Sequence, residues 1–334
     1  MNELIEHVRI HRQGGTDELE VERIALAPPG PGEVRVRQQA VGVNFVDVYH
    51  RNGLYPLAQL PATLGVEGAG VVEAVGTGVS GFVPGQRVAY TGLIGAYAAV
   101  RNVPLERLVA VPDDVDLDTV AGGLLRGLTA HMLFAHVRQL RPGDTVLVHA
   151  AAGGLGLVLT QWASALGARV IGTVGSSDKA ALALAHGAER VVPYREEDFV
   201  AAARDFGGGR GVDFAIDGIG GATLLRTFDA VRPYGMAASV GQAGGSIEPV
   251  DLMQIGRTRG IAFSRPSVMQ FMTEPGLYHE GAQATLARLA AGLRVPVGLD
   301  LPLARAAEAH AAMEAGRTSG AVLLRPDTGR SKNA

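Results

Sequence analysis

Between Thr145 and Leu166 the chain changes character twice within a few residues. The apolar run Thr145-Val-Leu-Val148 ends in His149-Ala-Ala-Ala-Gly-Gly-Leu-Gly156, and a helix-forming stretch follows to Leu166. The small residues are spaced Ala150-x-x-Gly153-x-x-Gly156. Such residues let a backbone turn tightly and approach a pyrophosphate, while the helix N-terminus behind them presents unpaired N–H groups and a positive dipole end. In a chain with 46 glycines the spacing alone has little weight, but a second apolar run, Arg169–Val174, follows at βαβ distance. The predicted unit is strand, turn, helix and strand, with Ala152, Gly153, Gly154, Leu155 and Gly156 cradling a dinucleotide.

The tip of the second strand selects the dinucleotide. An NAD site places Asp or Glu about 20 residues beyond the glycines, to bind the ribose 2′-hydroxyl. Here that position falls in Val174-Gly-Ser-Ser-Asp-Lys179, where Gly175 follows the strand and no acid stands at its tip. Ser176 or Ser177 can cap the next helix and donate to a 2′-phosphate, and Lys179 adds charge. Of 30 basic side chains only Lys179 and Lys332 are lysines, so Lys179 departs from the chain's preference for arginine. Asp178 suits the first-turn dipole. Tyr194, just past a third strand, is expected to close the adenosine pocket, the alternative being a half-buried surface tyrosine. The set points to NADPH.

Around this unit the periodicity divides the chain. Residues 1–126 read mostly β, with period-2 runs at 33–41, 70–75 and 86–90 set off by Pro and Gly. From 127 onward strands alternate with helices, the strands near 145–150, 169–174, 190–193, 212–217, 235–240 and 260–264. That pattern is an α/β, doubly wound parallel six-stranded sheet. Gly167 and Gly187 stand where helix C′ glycines belong. Residues 301–316 read as a helix and 320–325 as a strand. The expected domains are a β domain over 1–126 completed by 268–326, and a nucleotide-binding domain over 127–267. The polar tail 327–334 reads as disordered.

A length of 334 residues suits two domains. The net charge of −3 gives no electrostatic reason to expect nucleic acid or an acidic membrane as partner. The N-terminus has no secretory pattern and no stretch is apolar enough to span a bilayer, so the expected compartment is the cytoplasm. The absence of Cys excludes disulfides and thiolate–metal sites.

A β domain before a nucleotide-binding domain, with the chain's end returning to the first, resembles the medium-chain dehydrogenase/reductase superfamily. Several stretches narrow this to its zinc-independent quinone oxidoreductases: 42–56 (Gly-Val-Asn-Phe-Val-Asp through Gly-Leu-Tyr-Pro), 64–70, 126–130, 149–156, 172–175, 194–198 and 264–267. The resemblance implies a six-stranded Rossmann sheet plus a mostly β GroES-like domain. In zinc-dependent relatives a Cys stands where this chain has Asn44 and a His where it has Val66, so no metal site is implied. Glu67 is left to pair with an arginine or cap a helix. His131 and His136, five apart on a helical stretch, are expected to point in different directions as packing or surface residues.

Without a Lewis acid, good hydride acceptors are those that spread the developing charge themselves, such as quinones and α,β-unsaturated carbonyls. The resemblance implies a site in the cleft between domains, with Asn44, Tyr49 and Tyr55 as catalytic candidates. Asn44 and Tyr49 would stand beside the nicotinamide and its ribose. Thr129 would contact the nicotinamide from its helix, and Gly241 and Gln242 would meet it from the far side. Arg265 and Arg317 would approach the cofactor phosphates or close the cleft, with interdomain ion pairs as the ordinary alternative. Tyr55 would line the quinone pocket, the alternative being a proton donor to carbon. The implied activity is NADPH-dependent quinone reduction. Reduction of activated double bonds is the alternative chemistry, and NADPH binding without catalysis the alternative class. A homodimer is expected to form through the apolar segment 260–264.

Overall fold

The computed structural model describes residues 4–327; the tail expected to be disordered lies, apart from Asp327, outside the described residues. Its contacts fall into two units, one running to Arg126 and resuming at Glu274, the other Gly127–Thr273.

In the first unit, buried Val34, Val36 and Ala40 alternate with partly exposed Arg35 and Arg37, so Glu33–Val43 buries one face and wets the other. It is the spine of a seven-stranded sheet. The order is Val297–Pro302, Ala321–Arg325, Glu33–Val43, Glu67–Val75, Arg87–Thr91 and Val109–Ala110, with Val100–Pro104 also paired to Glu33–Val43. Val322 faces Val43 and Leu324 faces Val41, so the end of the chain completes the sheet that the first third began. A smaller antiparallel sheet joins Leu4–Ile10 to Glu20–Ala25 and Ala62–Thr63. Leu301 and Pro302, expected to open a helix, instead end a strand. Proline at the strand's last residue loses no ladder bond that matters, and the helix starts later, at Ala306–Glu314.

The second unit is a six-stranded sheet, all parallel: Arg190–Pro193, Arg169–Val174, Thr145–Val148, Val212–Asp217, Val231–Ser239 and Ala262–Ser264. Counted along the unit this is the order 3-2-1-4-5-6. Helices cover both faces, so strands read as apolar runs, Val146, Leu147 and Val148 being fully buried. Gly167 and Gly187 adopt φ +83° and +98°, the left-handed conformation that ends a helix cheaply only with glycine. The return to the first unit comes at Glu274 rather than 268, because Phe271 packs its ring against His131 and His136. Those two histidines do not point in different directions. Their ring centroids lie 5.3 Å apart, not on divergent faces. Met132–Val137 is wound as a π-helix, whose i→i+5 repeat brings residues five apart onto one face.

Candidate functional site

The strand order reverses between Thr145–Val148 and Val212–Asp217, and in doubly wound sheets ligands gather at the carboxyl ends of such strands. There the chain runs into the glycine turn. Ala150 takes φ +50°, its carbonyl accepts from Gly153 N–H at 2.8 Å, and Ala151 N–H is tied to Thr173 O at 2.9 Å. Gly153 is the N-cap of helix Gly154–Ala165, which has no side-chain cap and no acid in its first turn. A β-carbon on Gly156 would sit 2.2 Å from the Ala150 oxygen, so only glycine lets the helix approach the turn. Gly172, on the next strand, is required for the same reason: its β-carbon would meet that of Ala151 at 2.5 Å.

His149 anchors this turn, and sequence reasoning missed it. Its ring nitrogens lie 2.9 Å from Thr173 Oγ1 and 2.9 Å from Thr227 Oγ1. Thr227 reaches the buried Asp217, whose Oδ1 accepts the N–H groups of Ile219 and Gly220. Burial pushes the His149 ring down, against the pull of Asp217. One neutral imidazole thereby joins the loops after the first and fourth strands.

Beyond the second strand, Gly175 and Tyr194 adjoin: a side chain at Gly175 would come within 3.5 Å of the Tyr194 hydroxyl. Ser176 is the N-cap of the turn Ser177–Lys179, but neither serine caps it. Ser176 makes no cap hydrogen bond, and Ser177 Oγ instead donates to Glu196 at 3.2 Å. The reason is the tightness of this single 3₁₀ turn, closed by Lys179 N–H bonding to Ser176 O at 3.1 Å. After the fifth strand, Gly241 packs on Gly218, and Arg265 hydrogen-bonds Ser239 Oγ at 2.8 Å and Gln242 Oε1 at 3.3 Å. Thr129 is buried in the same unit. Thus Ala152–Gly156, Gly175, Ser176, Lys179, Tyr194, Gly241, Gln242, Arg265 and Thr129 all belong to one unit, while Asn44, Tyr49, Tyr55 and Arg317 belong to the other.

In that other unit Asn44 is the N-cap of helix Phe45–Asn52, which ends at Gly53 with φ +88°. Its backbone N–H donates to Asp47 Oδ2 at 2.8 Å, and its side-chain amide donates to Glu67 Oε2 at 2.8 Å. A carboxylate only accepts, so Glu67 fixes the amide's orientation, and the capping box turns the Asn44 side chain toward the Asp47 backbone N–H. Glu67 does both tasks expected of it. Its Oε1 accepts from Leu125 N–H at 2.6 Å, at the start of helix Leu124–His131, and its Oε2 lies 4.0 Å from the Arg126 guanidinium. Burial pushes the Glu67 carboxyl up and the Arg126 guanidinium down, each opposed by the other. Gly42 is obligatory here, since a β-carbon would meet Ala121 O at 2.1 Å and Glu67 Oε2 at 2.7 Å. Tyr49 is buried, and half-buried Tyr55 sets its ring edge-on to it at 5.2 Å. Among the described residues the Tyr55 hydroxyl has no hydrogen-bond partner, while Arg317 is exposed.

Comparison with known proteins adds the family. Residues 154–280 match the family described as zinc-binding dehydrogenase, and residues 30–113 the alcohol dehydrogenase GroES-like domain. A 2-haloacrylate reductase of Burkholderia sp. is 42% identical over 95% of this chain and 98% of its own. A quinone oxidoreductase of Pseudomonas aeruginosa is 39% identical over 97% of this chain and 100% of its own. The crystal structure of Escherichia coli quinone oxidoreductase complexed with NADPH superposes with a TM-score of 0.92 at 36% identity, covering 96% of this chain and 100% of that one.

Proposed function

The chain belongs to the quinone oxidoreductases of the medium-chain dehydrogenase/reductase superfamily, and we propose that it reduces a quinone with NADPH and without a catalytic zinc. The observation that carries the reading is the uncapped N-terminus of helix Gly154–Ala165 behind a turn that only glycine permits. That cradle fits a pyrophosphate, because its first-turn N–H groups lack a side-chain cap and no acid repels an anion. Ser176, Lys179 and Tyr194 would hold the 2′-phosphate end, Thr129, Gly241 and Gln242 the nicotinamide end, and Arg265 and Arg317 the phosphates. NADPH, when bound, supplies the hydride. Asn44, its amide held by Glu67, would stand beside the nicotinamide, Tyr49 would join it from the same helix, and Tyr55 offers an aromatic edge against which a flat ring can pack.

The donor set around Asn44 does not fit a catalytic zinc. The chain has no cysteine, the position before Glu67 is Val66, and the Glu67 oxygens already accept from Asn44 and Leu125. A quinone suits this, since it delocalises the incoming charge over two oxygens. Reduction of an activated double bond is the second reading, favoured by the 42% identity to a 2-haloacrylate reductase.

Among the described residues no helix is long and apolar enough to cross a membrane. We place the protein in the cytoplasm, as a homodimer paired through the sheet edge at Ala262–Ser264, an edge with no partner strand beyond it among the described residues. Light scattering at micromolar concentration tests the dimer; a monomeric mass refutes it. The activity is tested by initial rates of NADPH oxidation with 1,4-benzoquinone, 9,10-phenanthrenequinone, an enone and 2-chloroacrylate side by side. Turnover of the quinones is expected. Turnover of the alkenes alone, abolished by Tyr55→Phe, would replace the first reading by the second, and binding without turnover would refute both.

A further inference from the structure

We propose that Arg51, His310 and Tyr97 form a one-way hydrogen-bond chain that positions Asp47 and, through it, Asn44. The inference rests on Asn44 lining the reaction site, as proposed above. Asp47 and Arg51 lie on helix Phe45–Asn52, His310 on helix Ala306–Glu314, and Tyr97 between strands Arg87–Thr91 and Val100–Pro104. Tyr97, His310 and Asp47 are fully buried.

The direction of the chain follows from what each group can donate. Arg51 is clamped by Glu314 at 2.7 and 3.0 Å and faces His310 Nδ1 at 3.4 Å. A guanidinium has no acceptor, so Nδ1 must be unprotonated. The ring proton then sits on Nε2, 2.8 Å from the Tyr97 oxygen, which accepts it. The Tyr97 proton is left for Asp47 Oδ2 at 3.2 Å, the oxygen that also accepts Asn44 N–H at 2.8 Å. Asp47 Oδ1 has no partner among the described residues, so these two donors alone hold the carboxylate.

The electrostatics agree. Burial, and then Arg51, push the His310 ring down to about 3, so it stays neutral at working pH. Burial lifts the Asp47 carboxyl to about 7, opposed by Asn44 N–H and Tyr97 and reinforced by Glu67, with Arg126 lowering it. Removing the Tyr97 donor must raise Asp47 further.

The test has an activity-independent arm. In histidine-labelled protein, ¹⁵N shifts should place His310 in the neutral Nε2–H tautomer from pH 5 to 8. In Tyr97→Phe the Asp47 carboxyl ¹³C titration should move up by about one unit, a tenfold change in its protonated fraction. The acid limb of quinone kcat/KM should move with it, while NADPH Kd changes less than about twofold. His310→Gln, which keeps a donor toward Tyr97, should leave Asp47 unshifted, and His310→Leu should shift it. In an Asp47→Asn background Tyr97→Phe should lose its effect on the profile. An Nδ1–H tautomer, or an Asp47 midpoint indifferent to Tyr97 and His310, overturns the proposal. Should the wild type turn over no quinone, the functional reading fails, and the tautomer and carboxyl titration still decide the chain.

Discussion

Replacing Gly156 by Ala puts one methyl group where the glycine turn leaves no room. The new β-carbon would lie 2.2 Å from Ala150 O and 2.7 Å from Ala151 Cα, against 3.4 Å for ordinary contact. Both obstacles are backbone, and that backbone is pinned by Ala151 N–H to Thr173 O and Gly153 N–H to Ala150 O. The helix must therefore move outward by roughly an ångström, dragging buried Leu157, Val158 and Trp162 with it. Such overpacking costs about 1–3 kcal/mol, and this case belongs at the upper end. Alanine returns about 1 kcal/mol of helix propensity, leaving a net loss of about 2 kcal/mol. Binding should suffer more, since the first-turn N–H groups shift relative to the pyrophosphate. Losing one charge-assisted hydrogen bond at about 1.5–3 kcal/mol raises NADPH Kd by about ten- to a hundredfold. Urea unfolding and fluorescence titration with NADPH measure the two effects. Gly153→Ala, whose nearest contact is 3.1 Å, is the milder control. Unchanged affinity in a folded Gly156→Ala protein would refute the assignment of this turn to the pyrophosphate.

Three further outcomes follow from other sites. Lys179→Ala should raise the NADPH KM about tenfold with little effect on NADH, and equal effects on both cofactors would remove Lys179 from the 2′-phosphate. Glu67→Gln should destabilise by about 3 kcal/mol, because Arg126 is left buried without its partner charge; a loss below about 1 kcal/mol by urea unfolding would show that the pair contributes nothing. The pH dependence has two opposing parts. His310 falls from 6.5 to about 3 on folding, so the stability it contributes is present above pH 6.5 and lost as pH drops toward 3. Asp47 rises from 3.8 to about 7, so its contribution is present below pH 3.8 and lost as pH climbs through 7. Between pH 4 and 6.5 they offset each other, and Asp47→Asn should make the urea midpoint fall more steeply on acidification. An unchanged slope would refute the offset.

Elements with a strong local signal were legible along the chain. The turn after Val148, the third strand at Arg190–Pro193 and the helix-ending Gly167 and Gly187 stand where periodicity put them. The fifth strand began four residues earlier than expected, at Val231, because Pro233 and a left-handed Tyr234 disguise its start. Misread residues were those whose neighbour is chosen by winding or by distant chain. His131 and His136 meet because the helix widens to a π-turn, and Ser177 turns from its cap to Glu196, 19 residues on.

By itself the amino-acid order determined the strand–turn–helix unit, the doubly wound class and the absence of a thiolate metal site. Those depend on side-chain volume, backbone sterics and ligand chemistry, which act within a few residues. Only the tertiary structure decided how Asn44 is held. Glu67 lies 23 residues from it, Tyr97 lies 50 from Asp47, and His310 lies 213 from Tyr97. A buried carboxylate, phenol or imidazole must be satisfied by whatever donor the fold delivers, and no pattern within a strand or helix names that donor.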